Sequence, residues 1–248
     1  MITLVGIGHV FSIREAVKYI IYQRRPHAVC VELDRFRFEA LEQGLDRSED
    51  APFLLKRLQK VYDRAAQSQG ADVGEEMLGA VEAAQEMNIP HFFIDVEATP
   101  MVNNILSDIP LMQRLKLFGS VIGASFLPKK QIEKGIEQVE NDPDLAMEQF
   151  GRVFPQLKER IVDYRDTYMS RRIRALNRDF PHLLAVVGEG HIKGISSHLD
   201  HGDLDVIHLG DVKKIADGIR TKRIRYVPPD EIKGNSSVSF TMELEISP

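Results

Sequence analysis

Short, nearly all-apolar runs alternate along the chain with longer segments in which apolar residues recur at helical spacing. An apolar run of roughly four to eight residues is typical of a parallel strand that is buried on both faces. The runs over 2–7, 28–31, 91–94, 182–187 and 206–209 therefore predict strands. Because helical segments separate these runs, the pattern predicts an α/β fold with a mixed, mostly parallel sheet flanked by helices.

The first two predicted strands and the helix between them fill about 30 residues, the size of one right-handed βαβ unit. Glu32 directly follows the second strand. We therefore expect Glu32 at the same edge of the sheet as His9, on the neighbouring strand. Residues 238–246 alternate between apolar and polar types, which predicts a half-exposed edge strand.

A long segment, from about 99 to 180, contains no convincing strand and predicts a run of helices interrupted by prolines. A segment of this length between two strands is an insertion, and we expect it to form a lid or a dimerisation arm. Within it, residues 111–127 are amphipathic; packing on the domain or on a second subunit is preferred over binding to a membrane surface. No change in composition marks a second domain, so 1–248 is predicted to be a single domain that carries a helical insertion. If the insertion is a dimerisation arm rather than a lid, the chain pairs through it as a homodimer.

Composition narrows the classes of partner. Hydrophobic residues make up 43% and charged residues 28% of the 248 residues, as in ordinary globular proteins. A net charge of −5 argues against nucleic acid, because phosphate binding needs a basic surface. Cys30 is the single cysteine, Met1 leads directly into a strand, and the apolar stretch 117–127 is shorter than the roughly 20 residues of a membrane span. These features predict a cytoplasmic protein without a membrane span.

One motif occurs twice. Gly6-Ile7-Gly8-His9 lies at the end of the first strand, and Gly188-Glu189-Gly190-His191 follows the fourth. In both copies an apolar strand ends at a glycine turn, and a histidine comes where a helix begins. Open α/β sheets build their sites at such turns, and glycine lets the backbone turn tightly and a substrate approach closely. Because both histidines follow the same arrangement of strand and glycine turn, the sequence predicts one pocket that is lined from two sides.

The predicted strand ends place His9, Glu32, Asp95 and His191 at one edge of the sheet. Two imidazoles and a carboxylate are a common set of ligands for a catalytic divalent ion. We therefore predict a metal site of His9, His191 and Glu32 for Zn, Mn, Co or Fe. Such an ion makes hydroxide available near neutral pH.

Other interpretations of the same residues are weaker. The two histidines could simply cap helices. Gly6-Ile7-Gly8 with Glu32 about 24 residues later approaches a dinucleotide fingerprint, but Phe11 stands where the third glycine belongs. Arg37, Arg165 and Glu76 could orient a carboxylate or a peptide carbonyl, and His208 is the best spare ligand.

The motifs together resemble the TraB family, which includes the bacterial pheromone-shutdown proteins and is related to the Tiki metalloproteases. The resemblance covers most of the chain. It rests on both glycine–histidine motifs and on the intervening stretches Val31-Glu32-Leu33 with Arg37, Gly74-Glu75-Glu76-Met77, Asp95 with Thr99, Arg165-Asp166 with Met169, and Gly194-Ile195. Val96 and Tyr164 depart from the arginine and the glutamate usual in the family, and the carboxyl-terminal membrane segments of many members are missing.

The resemblance implies a site of His9, His191, Glu32 and Arg37, supported by Glu76, Arg165 and Asp166. It implies metal-dependent peptide cleavage in the Tiki relatives and control of a secreted peptide signal in the prokaryotic members. We therefore expect a metal-dependent peptide hydrolase in which Glu32 is a ligand or a base, while Arg37 and Arg165 stabilise an oxyanion. The alternative is a non-catalytic protein of the same fold that sequesters a peptide or another small ligand. The residues assigned supporting roles are Gly6, Gly8, Gly188, Gly190, Asp95 and Asp166.

Overall fold

The computed structural model describes residues 1–8, 13–43, 74–97, 119, 131, 143–153, 155–199 and 201–224. Helices and strands alternate through most of these ranges. The strands are β1 (Ile2–Ile7), β2 (Ala28–Val31), β3 (His91–Phe93), β4 (Leu183–Gly188) and β5 (Leu204–Ile207). The helices are α1 (Arg14–Arg24), α2 (Arg35–Glu42), α3 (Glu75–Glu86), α4 (Pro143–Val153), α5 (Pro155–Lys158), a π-helical turn (Glu159–Asp163), α6 (Tyr164–Leu176), α7 (Glu189–Ser197), a 3-10 turn (His201–Asp203) and α8 (Leu209–Arg220).

The described strands form one parallel sheet in the order β3-β2-β4-β1-β5. β4 pairs with β1 from Ile2 opposite Leu183 to Ile7 opposite Gly188, so the two glycine–histidine motifs begin on adjacent strands. The expectation that β2 lies next to β1 was wrong, because β4 lies between them. A helix is about 10 Å wide and strands are about 4.8 Å apart, so a crossover through α1 naturally skips one strand position.

Side chains on alternate strand positions point to opposite faces of the sheet, and both faces are covered. Val5, Val29 and Val186 face the helices α1, α3 and α8. Leu4, Cys30 and Ala185 face α6 and α7. Burial on both faces explains why β1, β2 and β4 are almost entirely apolar rather than alternating.

Most strands lie where the apolar runs predict them. β1 and β2 match their predicted bounds, β3 ends one residue early, and β4 lies one residue later. β5 begins two residues before its predicted start, because Leu204 pairs with Ile2 at the beginning of β1. The predicted edge strand 238–246 lies outside the described residues.

The last part of the predicted insertion is helical where it is described. α5, the π-helical turn and α6 follow one another from Pro155 to Leu176, and α6 packs its buried residues Asp166, Met169, Ser170 and Ile173 towards the sheet and α7. The segment 99–142, apart from two isolated residues, is outside the description, and so is the amphipathic stretch 111–127. Among the described residues, no helix is both long and apolar enough to cross a membrane.

Candidate functional site

Three neighbouring strands end beside one another, and a charged side chain follows each end. Glu32 comes directly after β2, Asp95 comes two residues after β3, and His191 lies in the first turn of the helix that follows β4. All three are buried. Their common position follows from parallel pairing alone, because parallel strands bring their carboxyl ends to the same edge.

Glu32 joins β2 to β4. Its Oε2 accepts a hydrogen bond from the backbone N–H of Gly188 at 2.6 Å. Its Oε1 accepts a hydrogen bond from Arg165 Nη2 at 2.5 Å and lies 3.3 Å from His191 Nε2. Both carboxylate oxygens are therefore held in fixed directions, and one of them faces the histidine.

Arg165 belongs to α6, so a helix contributes a charged side chain to the site together with the three strand ends. Its Nε donates to Asp95 Oδ1 at 2.8 Å and its Nη2 donates to Asp95 Oδ2 at 2.7 Å, in addition to the bond to Glu32. Burial lowers the pKa of Arg165, but the charge of Glu32 and the contacts with Asp95 outweigh it and raise this pKa above its ordinary value. The guanidinium is therefore always charged, and its hydrogen bonds hold the buried carboxylates of Glu32 and Asp95 close to each other.

His191 is fixed from both sides of its ring. Its Nδ1 lies 2.5 Å from Asp166 Oδ1, and its Nε2 faces Glu32. Burial lowers the pKa of His191, but the charge of Glu32 and the hydrogen bonds to Asp166 and Glu32 outweigh it and raise the pKa to about 10. In this arrangement the carboxylates of Glu32 and Asp166 favour positive charge at the position of His191.

Glycines give Asp166 and Glu189 their positions. A Cβ atom at Gly194, in α7, would overlap the carboxylate of Asp166, so this helix can approach α6 only with glycine there. A Cβ atom at Gly6 would overlap the carboxylate of Glu189.

Gly188 has φ near −58°, which any residue adopts, and its contribution is the backbone N–H from which Glu32 accepts a hydrogen bond. The predicted role of Gly6 in substrate approach stays a prediction.

The side chain of Glu189 passes over Gly6 in β1, and its carboxylate contacts the two residues that follow β5. Its Oε2 accepts from the backbone N–H of Leu209 at 2.8 Å, at the start of α8, and its Oε1 lies 2.7 Å from His208 Nδ1. A carboxylate at a helix N-terminus is favourable because the N–H groups there have no partner within the helix. His208, the spare ligand of the sequence interpretation, is thus paired on the far side of β1 from Glu32.

Arg37 completes the cluster from α2. Its backbone N–H donates to Asp34 Oδ1 at 2.9 Å, which caps that helix, and its Nη1 donates to Asp95 Oδ2 at 3.1 Å. Asp95 therefore accepts from two arginines and from the backbone N–H of Val96. Asp95 is the residue on which the two arginines converge.

These contacts do not place four of the predicted site residues: His9, Glu76, Gly8 and Gly190. His9 lies outside the described residues. Glu76 is buried in the first turn of α3, the helix that packs against α1 and β2, and its catalytic role stays a prediction. Within the ranges that the structure describes, no three histidine, cysteine or acidic side chains form a group that could hold a metal ion. These ranges contain two of the three predicted ligands, His191 and Glu32.

Sequence reasoning gave no role to Glu189, Asp34 or Gly194. A glycine inside a helix, three residues after His191, is a signal of close backbone approach that could have indicated the contact with Asp166. The roles of Glu189 and Asp34 depend on which strands and helices become neighbours, and no local pattern indicates that.

The fold and the cluster define a parallel α/β protein whose charged site lies at the carboxyl ends of three adjacent strands, β3, β2 and β4. The sequence matches the model of the TraB/PrgY/gumN family over residues 1–202, and the chain belongs to that family. This confirms the resemblance to the TraB family. The chain is also similar to the uncharacterised protein MJ1365 of Methanocaldococcus jannaschii, with 27% identity over 230 residues that cover 86% of this chain. The chain spans 58% of the length of that relative.

Proposed function

We propose that the chain is a metal-dependent peptide hydrolase of the TraB/PrgY/gumN family, with a divalent ion held by His191 and Glu32 and by His9. One observation carries the proposal: Asp166 holds His191 through Nδ1 and thereby turns Nε2 towards Glu32 Oε1, 3.3 Å away. Histidine ligands of metals usually have their other ring nitrogen bonded to a carboxylate in this way.

The donor pair fits a metal in kind and in spacing. Imidazole nitrogen and carboxylate oxygen are ligands of Zn, Mn, Co and Fe. Two ligands of a tetrahedral site with bonds of roughly 2.0–2.1 Å lie about 3.4 Å apart, and the two atoms here are 3.3 Å apart.

The chain's own residues would supply the rest of the site. Arg165 keeps the carboxylates of Glu32 and Asp95 at fixed positions, so little rearrangement is needed when a substrate binds. Gly188 fixes the second oxygen of Glu32, which prevents the carboxylate from turning away from His191. A bound divalent ion supplies Lewis acidity and a water activated for attack on a peptide carbonyl. Peptide signals are the substrate class that the family resemblance implies.

Metal analysis tests this proposal directly. Protein purified without chelator, and protein reloaded with Zn, Mn, Co or Fe, is analysed for bound metal together with His191→Ala, Glu32→Gln and the His9→Ala/His191→Ala double variant. We expect about one ion per chain, as in a mononuclear catalytic site, and its loss in the three variants. His198→Ala is the matched control, because His198 follows the same helix but is exposed and contacts Thr167.

Peptide cleavage by the reloaded protein is the second measurement. Hydrolysis that requires the metal, and that Glu32→Gln abolishes, supports the proposal. Absence of bound metal after reloading would overturn it. Stable binding of peptides to the metal-loaded protein without any cleavage would favour the sequestering protein instead.

A further inference from the structure

The two arginines that contact Asp95 differ in how much of each guanidinium remains available. Arg165 is 14% exposed, and its Nε and Nη2 together make three hydrogen bonds to Glu32 and Asp95. Arg37 is 42% exposed and donates from Nη1 alone, at 3.1 Å. In the part of the chain that the structure describes, Asp95 is the only group that the Arg37 side chain bonds. A guanidinium has five N–H donors, so most of those on Arg37 have no partner among the described residues.

Arg37 is also held in place before any ligand arrives. Asp34 accepts the backbone N–H of Arg37 and so fixes the start of α2, and Asp95 fixes one end of the guanidinium. A planar guanidinium with two parallel donors matches a carboxylate, and it loses little freedom on binding when it is already oriented. Both features are those of a group that recognises an anion.

The charge at this position favours a singly charged ligand. Asp95 partly balances the charge of Arg37, and the second arginine is occupied by two carboxylates. One guanidinium can hold a carboxylate through two parallel N–H···O hydrogen bonds. The exposed half of Arg37 therefore suits a carboxylate.

We propose that Arg37 is a specificity-determining residue that binds a carboxylate of the peptide substrate, while Arg165 is a positioning residue for Glu32 and Asp95. This inference rests on the proposed hydrolase function and extends it to the substrate. The carboxylate can be the carboxyl terminus of a peptide or an acidic side chain.

Matched peptides separate these sources and test the assignment. Tetrapeptides are prepared with a free carboxyl terminus and as the carboxamide, and the carboxamides are prepared with Glu or Gln inside the sequence. The metal-loaded wild type, Arg37→Met, Arg37→Lys and Arg35→Met are compared by kcat/KM. Arg35 is the matched control, because it is 81% exposed on the same helix and pairs with Glu39.

For the wild type and Arg35→Met we expect kcat/KM to be about 10- to 100-fold higher for one of the carboxylate-bearing peptides than for its neutral counterpart. This is the range for hydrogen bonds to a charged group. Arg37→Met should lose this preference, because its kcat/KM should fall much more on the carboxylate peptide than on the neutral peptide. Arg37→Lys should retain part of the preference. A preference for the free terminus identifies a terminal carboxylate, and a preference for Glu over Gln identifies a side chain.

Two results would overturn the assignment: no discrimination by the wild type, or an equal loss on charged and neutral peptides in Arg37→Met. If no peptide is cleaved, the proposed function fails, and the same peptides are measured by binding calorimetry. Discrimination in binding that Arg37→Met removes would still support carboxylate recognition by Arg37, and equal binding of both forms would refute it.

Discussion

Asp166 Oδ1 lies 2.5 Å from His191 Nδ1, and this pair links the helix above the sheet edge to the second glycine–histidine motif. The contact requires Gly194, because any Cβ at that position of α7 would overlap the carboxylate. Arg165, the preceding residue in α6, bonds Glu32 and Asp95. Two consecutive residues of one helix therefore orient the histidine and the carboxylates of the site.

Replacing Asp166 by Asn should weaken metal binding while the chain stays folded. The amide keeps the shape of the carboxylate but loses the charge that orients His191 and increases its basicity. Loss of such a partner typically weakens metal affinity by about 10- to 100-fold. Competition with a chromophoric chelator measures the affinity. Asp163→Asn is the control, because Asp163 pairs with Lys158; equal affinities of the two variants would contradict the role of Asp166.

Replacing Arg165 by Ala should destabilise the fold strongly. Glu32 and Asp95 are both buried, and without the guanidinium their charges would lack their main partner. Breaking a buried ion pair from one side costs about 3–5 kcal/mol. Urea unfolding measures this loss.

The comparison variants for Arg165 separate charge from geometry. Arg165→Lys keeps the charge without the two-pronged geometry, so we expect a smaller loss of unfolding free energy than with Ala. Arg220→Ala removes an exposed ion pair with Asp217 and should change stability by less than about 1 kcal/mol. Equal losses of unfolding free energy in Arg165→Ala and Arg220→Ala would show that the buried ion pairs of Arg165 stabilise the fold no more than an exposed pair does.

Replacing Gly6 by Ala should cost about 1–2 kcal/mol, the range for a lost helix cap. The new methyl group would occupy the place of the Glu189 carboxylate, which would have to leave the N–H of Leu209. Once Glu189 is replaced by Ala, the same change at Gly6 should cost much less, so the two substitutions should not be additive. Unfolding free energies of the single and double variants measure the coupling.

Gly210→Ala is the control for Gly6. A Cβ at Gly210 meets nothing within 4 Å, and this residue lies in a helix. Alanine there should leave stability unchanged or raise it by up to about 1 kcal/mol. Additive effects of Gly6→Ala and Glu189→Ala would refute the overlap.

Replacing His208 by Ala should leave the metal content unchanged. His208 is exposed and pairs with Glu189, on the other side of β1 from Glu32. Elemental analysis of the reloaded variant measures this directly. A reduction in bound metal equal to that of His191→Ala would show that His208 is a metal ligand.

Much of the site could be predicted because strand ends are visible in the sequence. Glu32, Asp95 and His191 each follow an apolar run, and parallel pairing brings such positions to one edge whatever the order of the strands. The different states of Arg37 and Arg165 could not be predicted in this way. Both are arginines on polar helices, and only the packing of α6 over the sheet buries one while α2 leaves the other half exposed.

The sequence by itself determined the strands, their parallel pairing and the position of the second glycine–histidine motif at a strand end, because these depend on the period of apolar residues and on local backbone preferences. The tertiary structure alone decided the order β3-β2-β4-β1-β5, the path of Glu189 over Gly6 and the convergence of two arginines on Asp95. These features join residues that are far apart in the chain. Their free energy comes from packing and charge pairing between whole elements, which no short window of sequence contains.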